Sequence, residues 1–258
     1  MTFAASPEAY DRFIGRYSYR LCEALCRAAG VPQAARVLDV GAGTGAGTRR
    51  LVEEHGEERV AAAEPSETFV RALRERFPAA DVRQAAAESL PFEDGAFDAV
   101  LAHLVVNFMA SPADGTAEMR RVARPGGTVA ACVWDYGDGM TLLRAFWEAA
   151  AEVAPDAAAA SDERTRMAFA REGELAGLWR DAGLVDVEEG ELVVSAAYES
   201  FEDLWEPFPQ GVGPAGAFAA SLDEGGREAL RAELRRRLDV PDGPFRLSAR
   251  AWYAAGKA

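Results

Sequence analysis

The sequence predicts an α/β fold in which a doubly wound, mostly parallel sheet is covered by helices. Short apolar segments alternate with helical patterns along the chain, and the segment 97–104 is apolar almost throughout. Strands of this kind are typical of parallel sheets with both faces buried. In the segment 37–51 an apolar run, four glycines at alternate positions and a helical pattern follow one another. That order predicts a strand, a tight turn and a helix, the repeating unit of such a sheet.

Seven segments carry a strand pattern, and turn residues or helical patterns separate them. The predicted strands are 36–40, 59–64, 81–84, 97–104, 128–134, 185–197 and 245–255. The predicted helices after the first strand include 44–55, 67–77, 113–122, 172–182 and 224–238. Ser66 is placed to cap the second of these helices, because its hydroxyl oxygen can accept from a free N–H of the first turn.

The whole chain, 1–258, is predicted to be a single domain, because no repeat or low-complexity linker interrupts it. Residues 1–30 carry a helical pattern broken near Gly15, which predicts a helical cover ahead of the first strand. The alanine-rich segment 137–171 is also helical, and the minimal doubly wound pattern does not require it. Extra helices after the carboxyl end of a strand are well placed to cover a site, so we predict a helical lid insertion there.

Composition limits the classes of partner. The formal net charge of −14 argues against a surface that follows a phosphate backbone, so no nucleic acid is expected. Three cysteines, an odd number without dense spacing, indicate a reducing compartment. Cys22 and Cys26 share a helix face without further ligands nearby, so no metal is expected.

No apolar stretch reaches the roughly 18 residues that span a bilayer and no leader pattern is present, so we expect a cytoplasmic protein without a membrane partner.

The glycines after the first strand indicate a ligand site. Glycine permits positive φ and leaves no Cβ between the main chain and a ligand, so a nucleotide-like molecule can lie directly on this turn. An ordinary glycine-rich turn is the alternative. Gly41, Gly43 and Ala46 also fit a dinucleotide fingerprint, with Glu64 placed to hold ribose hydroxyls. Asp39 argues against a pyrophosphate, because two like charges in a small site without a cation repel each other, and a cofactor with a positive centre suits the two carboxylates better.

Four motifs follow one another in the first half of the chain. They are Val-Leu-Asp-Val-Gly-Ala-Gly-Thr-Gly at 37–45, Glu64 at the end of the second strand, Ala-Glu-Ser-Leu-Pro-Phe at 87–92 with Phe-Asp at 97–98, and Arg-Val-Ala-Arg-Pro-Gly-Gly at 121–127. In order and spacing they resemble the class I S-adenosylmethionine (SAM)-dependent methyltransferases, and specifically the ubiquinone/menaquinone biosynthesis methyltransferases. The resemblance covers roughly residues 9–135. It implies SAM as the cofactor and a Rossmann-like, seven-stranded sheet with an antiparallel C-terminal strand.

The resemblance implies cofactor roles for the residues around the glycine turn. By matched position, Asp39 would order the loop or bind the ammonium group of SAM. Gly41 and Gly43, with Ala42 between them, would face the amino-acid and ribose portions. Glu64 would accept hydrogen bonds from both ribose hydroxyls.

Further roles are implied for residues that follow the second, third and fourth strands. Pro65 would pack near the adenine, and the N–H of Ala87 would meet the adenine ring. Many relatives have an acidic residue at the place of Ala86, so the contact to the adenine amino group must be absent here or come from Glu88 or water. The remaining implied cofactor residues are Ala102 and His103 at the methionine end and Tyr10 and Arg16 near the SAM carboxylate.

The predicted chemistry places few demands on catalytic side chains. Methyl transfer from a sulfonium releases a neutral thioether, so the protein must mainly align the acceptor and exclude water. A base is needed only for an alcohol, phenol or ammonium acceptor. The candidates at strand ends are His103, Asp135 and Tyr136, with core packing or strand-end hydrogen bonding as the alternative. The aromatic candidates for an acceptor pocket, or else for core packing, are Trp147, Trp205 and Phe208.

The sequence therefore predicts a SAM-dependent methyltransferase that transfers a methyl group to a small organic acceptor by in-line displacement. One alternative is a protein of the same fold that binds SAM without methyl transfer, as a binding or regulatory protein or a cyclase. A less favoured alternative is an NAD-binding oxidoreductase, for which no set of redox residues is found.

Overall fold

The computed structural model describes residues 11–258, and in this range seven strands form one sheet. The strands are β1 (Val37–Val40), β2 (Val60–Glu64), β3 (Asp81–Gln84), β4 (Phe97–His103), β5 (Ala123–Trp134), β6 (Val185–Tyr198) and β7 (Phe245–Lys257). Their order across the sheet is β3-β2-β1-β4-β5-β7-β6. The pairs from β3 to β5 are parallel, and β7 runs antiparallel to β5. The predicted fold class is thereby confirmed, including the antiparallel C-terminal strand.

Ten α-helices lie in the described range, and a single π-helical turn, Asp11–Gly15, precedes the first of them. The helices are α1 (Arg16–Ala28), α2 (Ala46–His55), α3 (Glu67–Arg76), α4 (Pro112–Val122), α5 (Thr141–Val153), α6 (Pro155–Ser161), α7 (Glu174–Asp181), α8 (Phe201–Trp205), α9 (Gly213–Ser221) and α10 (Glu224–Leu238). The predicted cap of α3 is present, since the Ser66 hydroxyl accepts from the N–H of Phe69 at 3.5 Å.

The start of β5 differs from the prediction. The sequence predicts a turn at 124–127 and a strand that begins at residue 128. In the structure Ala123 pairs with Phe97 of β4, and the turn glycines pair with the end of the chain. The N–H of Gly126 donates to the carbonyl of Ala258, and the N–H of Ala258 donates to the carbonyl of Gly127. Long-range pairing therefore extends the strand through residues whose local preference is for a turn.

The chain divides into two compact units. We call the first the sheet unit; it comprises Ser18–Trp134, Phe169–Leu192 and Ala251–Ala258. We call the second the helical unit; its described parts are 11–17, Asp135–Ala168 and Val193–Arg250. The segment 137–171 is helical as predicted, with α5, α6 and a 3₁₀ turn at Glu163–Thr165. Its role as a lid, the cover role of the N-terminal segment and the single-domain organisation stay predictions.

Each unit has its own apolar core. In the sheet unit α3 packs on β2 and β3 through one cluster, formed by Ala42, Ala62, Val70, Leu73, Phe77 and Val82. In the helical unit Phe146 stacks on Phe208 with ring centroids 4.6 Å apart, and Trp147 lies 5.4 Å from Phe218. Phe208 and Trp147 are 0% and 1% exposed, so both are core residues of this unit. Full burial of an aromatic side chain stabilises a fold by about 1.5–3 kcal/mol.

Two features are absent from the described residues. No helix among residues 11–258 is long and apolar enough to cross a membrane. Within the same range no group of three or more His, Cys, Asp or Glu side chains could hold a metal ion. The three cysteines, Cys22, Cys26 and Cys132, are free thiols and are buried.

Candidate functional site

The candidate site is built on the glycine loop, residues 41–47, which joins β1 to α2. The N–H groups of Gly41 and Ala42 donate to the carbonyl oxygen of Ala63 at 2.8 and 3.2 Å, which ties the loop to the end of β2. The φ angles of Gly41, Gly43 and Gly45 are +70°, +55° and +88°. Residues with a side chain rarely adopt such angles, so glycine is required to form this loop.

The two faces of the glycine loop differ. A Cβ on Gly41 would lie 2.3 Å from Val105 Cγ2, and a Cβ on Gly45 would lie 2.7 Å from Leu73 Cδ2. At these two positions the backbone is in contact with neighbouring side chains. Among the described residues, the nearest atom to such a Cβ on Gly43 is 4.0 Å away. Within residues 11–258 the main chain of the loop is therefore open at Gly43, where a ligand can approach the backbone closely.

Glu64 is the last residue of β2, and its carboxylate is bound to two backbone groups. Oε2 accepts from the N–H of Gly43 and Oε1 accepts from the N–H of Ser66, both at 2.9 Å. Burial raises the pKa of this carboxyl, and the hydrogen bonds from Ser66 and Gly43 oppose that rise. A carboxylate oxygen has two lone pairs, so each oxygen keeps one acceptor position for a ligand hydroxyl.

Asp39 lies one residue before the end of β1, and its side chain is bound by the first turn of α2. It is only 2% exposed. The Thr48 hydroxyl donates to Asp39 Oδ2 at 2.7 Å, and the Thr48 backbone N–H donates as well. Burial raises the pKa of Asp39 to about 6, the bonds from Thr48 lower it, and the charge of Glu64 adds to the rise. Gly45 offers α2 no side-chain cap, so Asp39 serves as the acceptor for that helix end.

His103, the last residue of β4, lies beside the same loop. A Cβ on Gly47 would be 3.3 Å from Asp39 Oδ2 and 3.5 Å from His103 Nδ1, so these two side chains flank Gly47. The Nε2 atom of His103 is buried and has no hydrogen-bond partner among the described residues. Burial lowers the pKa of the imidazole to about 4, so the ring is neutral near pH 7.

The other predicted cofactor residues of the sheet unit lie in three places. Pro65 is exposed beside Glu64, and its carbonyl accepts from Gln84 Nε2 at 3.1 Å. Ala87 is buried after β3, where the neighbouring Glu88 accepts from the N–H of Ser111 at 3.0 Å. Ala102 is buried in β4 beside His103. Their contacts with a cofactor stay predictions.

Arg16 belongs to the helical unit, and neighbouring residues occupy its donors. It donates to both carboxylate oxygens of Asp203. It also donates to the carbonyl oxygens of Arg12 and Ala197, and its guanidinium lies 4.9 Å from the centroid of the Tyr198 ring. A role at the SAM carboxylate, which stays a prediction, would need some of these bonds to be replaced. Tyr10, its predicted companion, lies outside the described residues.

Asp135 and Tyr136 also belong to the helical unit. Oδ1 of Asp135 accepts from the N–H of Gly137 at 3.0 Å, and Oδ2 accepts from Arg250 Nε and Nη2 at 2.8 and 2.6 Å. Arg250 thus holds the Asp135 carboxylate in an ion pair. These contacts are of the kind expected if Asp135 serves in strand-end hydrogen bonding and not in catalysis. Tyr136 is buried, 6% exposed. The catalytic roles of both residues stay predictions.

Two residues of the site were missed by the sequence reasoning. Thr48 is not among the predicted residues, although a threonine in the first turn of a helix that follows an aspartate is a possible hydrogen-bonding partner for that aspartate. Val105, which packs on Gly41, had no signal in the sequence. Leu104, the residue before Val105, takes a positive φ of 62° directly after β4, which a sequence pattern does not indicate.

Fold and site together define a doubly wound α/β protein with a glycine loop between two carboxylates at the ends of adjacent parallel strands. A model of the methyltransferase domain matches residues 38–131. The malonyl-[acyl-carrier protein] O-methyltransferase of Geobacter sulfurreducens is 33% identical over 189 residues, covering 72% of this chain and 68% of that protein. The chain belongs to the class I SAM-dependent methyltransferase family.

One further relative matches about half of the chain, and one solved structure is similar in fold. An uncharacterised methyltransferase of Mycobacterium tuberculosis is 36% identical over 138 residues, or 54% of each protein, so the match spans about half the length of that relative. The solved structure of phosphoethanolamine N-methyltransferase 2 from Haemonchus contortus, in complex with SAM, is similar in fold. Its TM-score is 0.57 at 16% identity, and the alignment covers 97% of this chain and 56% of that one.

Proposed function

We propose that this chain binds SAM on the glycine loop and transfers the methyl group to a small organic acceptor by in-line displacement. One observation carries the proposal: Asp39 and Glu64 lie at the carboxyl ends of the paired parallel strands β1 and β2, on either side of the loop. In open α/β sheets ligands bind at these strand ends.

The charges of the loop favour SAM over a dinucleotide. SAM carries positive charge on its sulfonium and ammonium groups, and from Val40 to Thr48 the chain has no lysine or arginine. Two buried carboxylates attract such a cation and repel a pyrophosphate. Within the described part of the chain the main chain is open at Gly43 and Glu64 keeps acceptor positions, and both features suit a ribose. The residues present therefore fit the cofactor.

Each residue has a distinct task in this proposal. Glu64 accepts from the ribose hydroxyls, and Asp39 faces the positively charged methionine end. The N–H of Ala87 meets the adenine ring. When bound, SAM supplies a methyl group on a positively charged sulfur and leaves as a neutral thioether, so no general acid is required. Orientation of the acceptor supplies about 7–11 kcal/mol in favourable cases.

For an acceptor that must lose a proton, we propose His103 as the base. Its Nε2 has no partner among the described residues, and its pKa of about 4 keeps the ring neutral and able to accept. A pKa this low makes a weak base, which favours an acceptor that is already acidic. Asp135 is the weaker candidate, because its carboxylate would first have to leave Arg250.

The test begins with binding. Thermal shift and calorimetry with SAM, S-adenosylhomocysteine and NAD should show stabilisation by the first two and none by NAD. Stabilisation by NAD alone would overturn the proposal. Methyl transfer is then followed as release of S-adenosylhomocysteine, with mass spectrometry of the acceptor.

The acceptor panel should contain carboxylates, phenols and amines. A malonyl thioester belongs in it, because a relative that covers most of this chain carries the name malonyl-[acyl-carrier protein] O-methyltransferase. Binding of SAM without a methylated product across the panel would favour a SAM-binding or cyclase role instead of methyl transfer.

A further inference from the structure

Thr48 is a buried polar residue to which the proposed function assigns no role. It lies in the first turn of α2 and is 0% exposed. Its hydroxyl donates to Asp39 Oδ2 at 2.7 Å, and its backbone N–H donates to the same side chain. One residue thus presents two donors to one buried carboxylate.

Asp39 needs such donors because its surroundings oppose a negative charge. The carboxylate is 2% exposed, and no ion pair of Asp39 is found within the described part of the chain. The titratable groups that face it are Glu64 on β2, Cys22 on α1 and His103 on β4. The thiol and the imidazole are neutral near pH 7, and Glu64 carries a like charge. The Thr48 donors and the N-terminal end of α2 are what stabilise the anion.

We propose that Thr48 is a positioning residue of the cofactor site, an inference that rests on the proposed function. Its hydroxyl fixes the Asp39 carboxylate and favours the charged form, so that an oriented anion is in place for the positively charged methionine end of the methyl donor. Thr48 acts through Asp39 and need not touch the cofactor. A threonine that served only to fill space could be replaced by valine, which has the same shape, without any change in how Asp39 titrates.

Three variants separate these roles. T48V removes the hydroxyl and keeps the shape, and T48S keeps the hydroxyl. T116V is the matched control, because Thr116 is also 0% exposed in the sheet unit and its hydroxyl donates to a backbone carbonyl, that of Pro112, at 2.8 Å. If T48V does not fold, T48A removes the hydroxyl without adding a methyl group.

Calorimetry with SAM between pH 5 and 8 gives the first readout. We expect T48V to weaken SAM binding by about tenfold or more at pH 6–7, in line with the loss of a hydrogen bond to a charged group. The pH midpoint of the affinity should move upward, because Asp39 then binds its proton more tightly. T48S should stay within about threefold of the wild type, and T116V should not change the midpoint. The inference is overturned if T48V keeps the wild-type midpoint or if T48S loses as much as T48V.

A second readout does not depend on the cofactor. The Asp39 carboxyl carbon, followed by ¹³C NMR in the same proteins without ligand, should titrate at higher pH in T48V and near the wild-type pH in T48S. If the wild type binds neither SAM nor S-adenosylhomocysteine, the proposed function fails. The NMR titration still decides whether Thr48 controls Asp39.

Discussion

The N–H of Gly43 donates to Glu64 Oε2 at 2.9 Å, so the carboxylate that ends β2 also holds the glycine loop. Glu64 has two tasks in consequence. It fixes the shape of the loop through Gly43, and it offers acceptor positions to a ribose. A substitution at Glu64 should therefore disturb the loop and the cofactor together.

We expect E64A and E64Q to weaken SAM affinity alike, by at least about tenfold. In the wild type each carboxylate oxygen of Glu64 accepts one backbone N–H, from Gly43 or from Ser66. Glutamine has only one acceptor oxygen, so its NH₂ group must face one of these two N–H groups, and two donors cannot form a hydrogen bond with each other. Calorimetry measures the affinity, and circular dichroism checks the fold. A matched control is D98N. Asp98 also accepts a backbone N–H, that of Arg36 at 2.8 Å, but it lies at the opposite end of β4 from His103. Wild-type affinity in E64Q would contradict the assignment.

Substitution of Gly41 by alanine tests the close contact between the glycine loop and Val105. An alanine there would adopt φ near +70° and place its Cβ 2.3 Å from Val105 Cγ2. Gly30 is a matched control, because its φ is +60° and no atom of the described residues lies within 4 Å of a Cβ built on it. We expect G30A to cost about 1–2 kcal/mol of unfolding free energy and to leave SAM affinity unchanged. G41A should cost more and also weaken SAM binding.

The double variant G41A/V105G isolates the steric part of that effect. Removal of the Val105 side chain clears the contact, so the double variant should bind SAM more tightly than G41A alone. If G41A and G30A behave alike in unfolding and in binding, the contact with Val105 has no influence on the loop.

The sheet and the loop could be predicted because they depend on local patterns. Buried parallel strands are continuous apolar runs, and the predicted bounds of β2, 59–64, agree within one residue with the observed Val60–Glu64. Partners from distant parts of the chain could not be predicted. Arg16 is bound by Asp203, 187 residues away, and Asp135 by Arg250, 115 residues away. A strand-end carboxylate looks the same in sequence whether it binds a cofactor or an arginine.

The lowered pKa of His103 predicts that the folded protein loses stability in acid. Its pKa is about 4 in the folded protein against 6.5 ordinarily, so below pH 6.5 the unfolded chain binds a proton that the folded chain does not. The free energy of unfolding should therefore fall as the pH drops from 6.5 towards 4. At about 1.4 kcal/mol per pH unit, H103Q should reduce the loss between pH 7 and pH 5 by about 2 kcal/mol. Urea unfolding at both pH values measures this, and equal losses in H103Q and wild type would contradict it.

The raised pKa of Glu163, in the helical unit, predicts the opposite pH dependence of the free energy of unfolding. Glu163 is 6% exposed, and its carboxyl accepts one long bond among the described residues, from Trp147 Nε1 at 3.5 Å, while the adjacent Arg164 pairs with Asp162. Burial raises the pKa of Glu163 from 4.5 to about 7. Between these values the unfolded chain has lost a proton that the folded chain still holds, so the free energy of unfolding falls as the pH rises.

E163Q should abolish that dependence, since glutamine is neutral and can still accept from Trp147. We expect it to be more stable than the wild type by about 3 kcal/mol at pH 8 and to differ little at pH 4, because the carboxyl is then mostly neutral in both the folded and the unfolded state. E199Q provides the control, as Glu199 is an exposed carboxylate of the same unit and its removal changes the net charge equally. Equal urea denaturation curves for E163Q and E199Q at pH 8 would show that the Glu163 carboxyl ionises in the folded protein without cost.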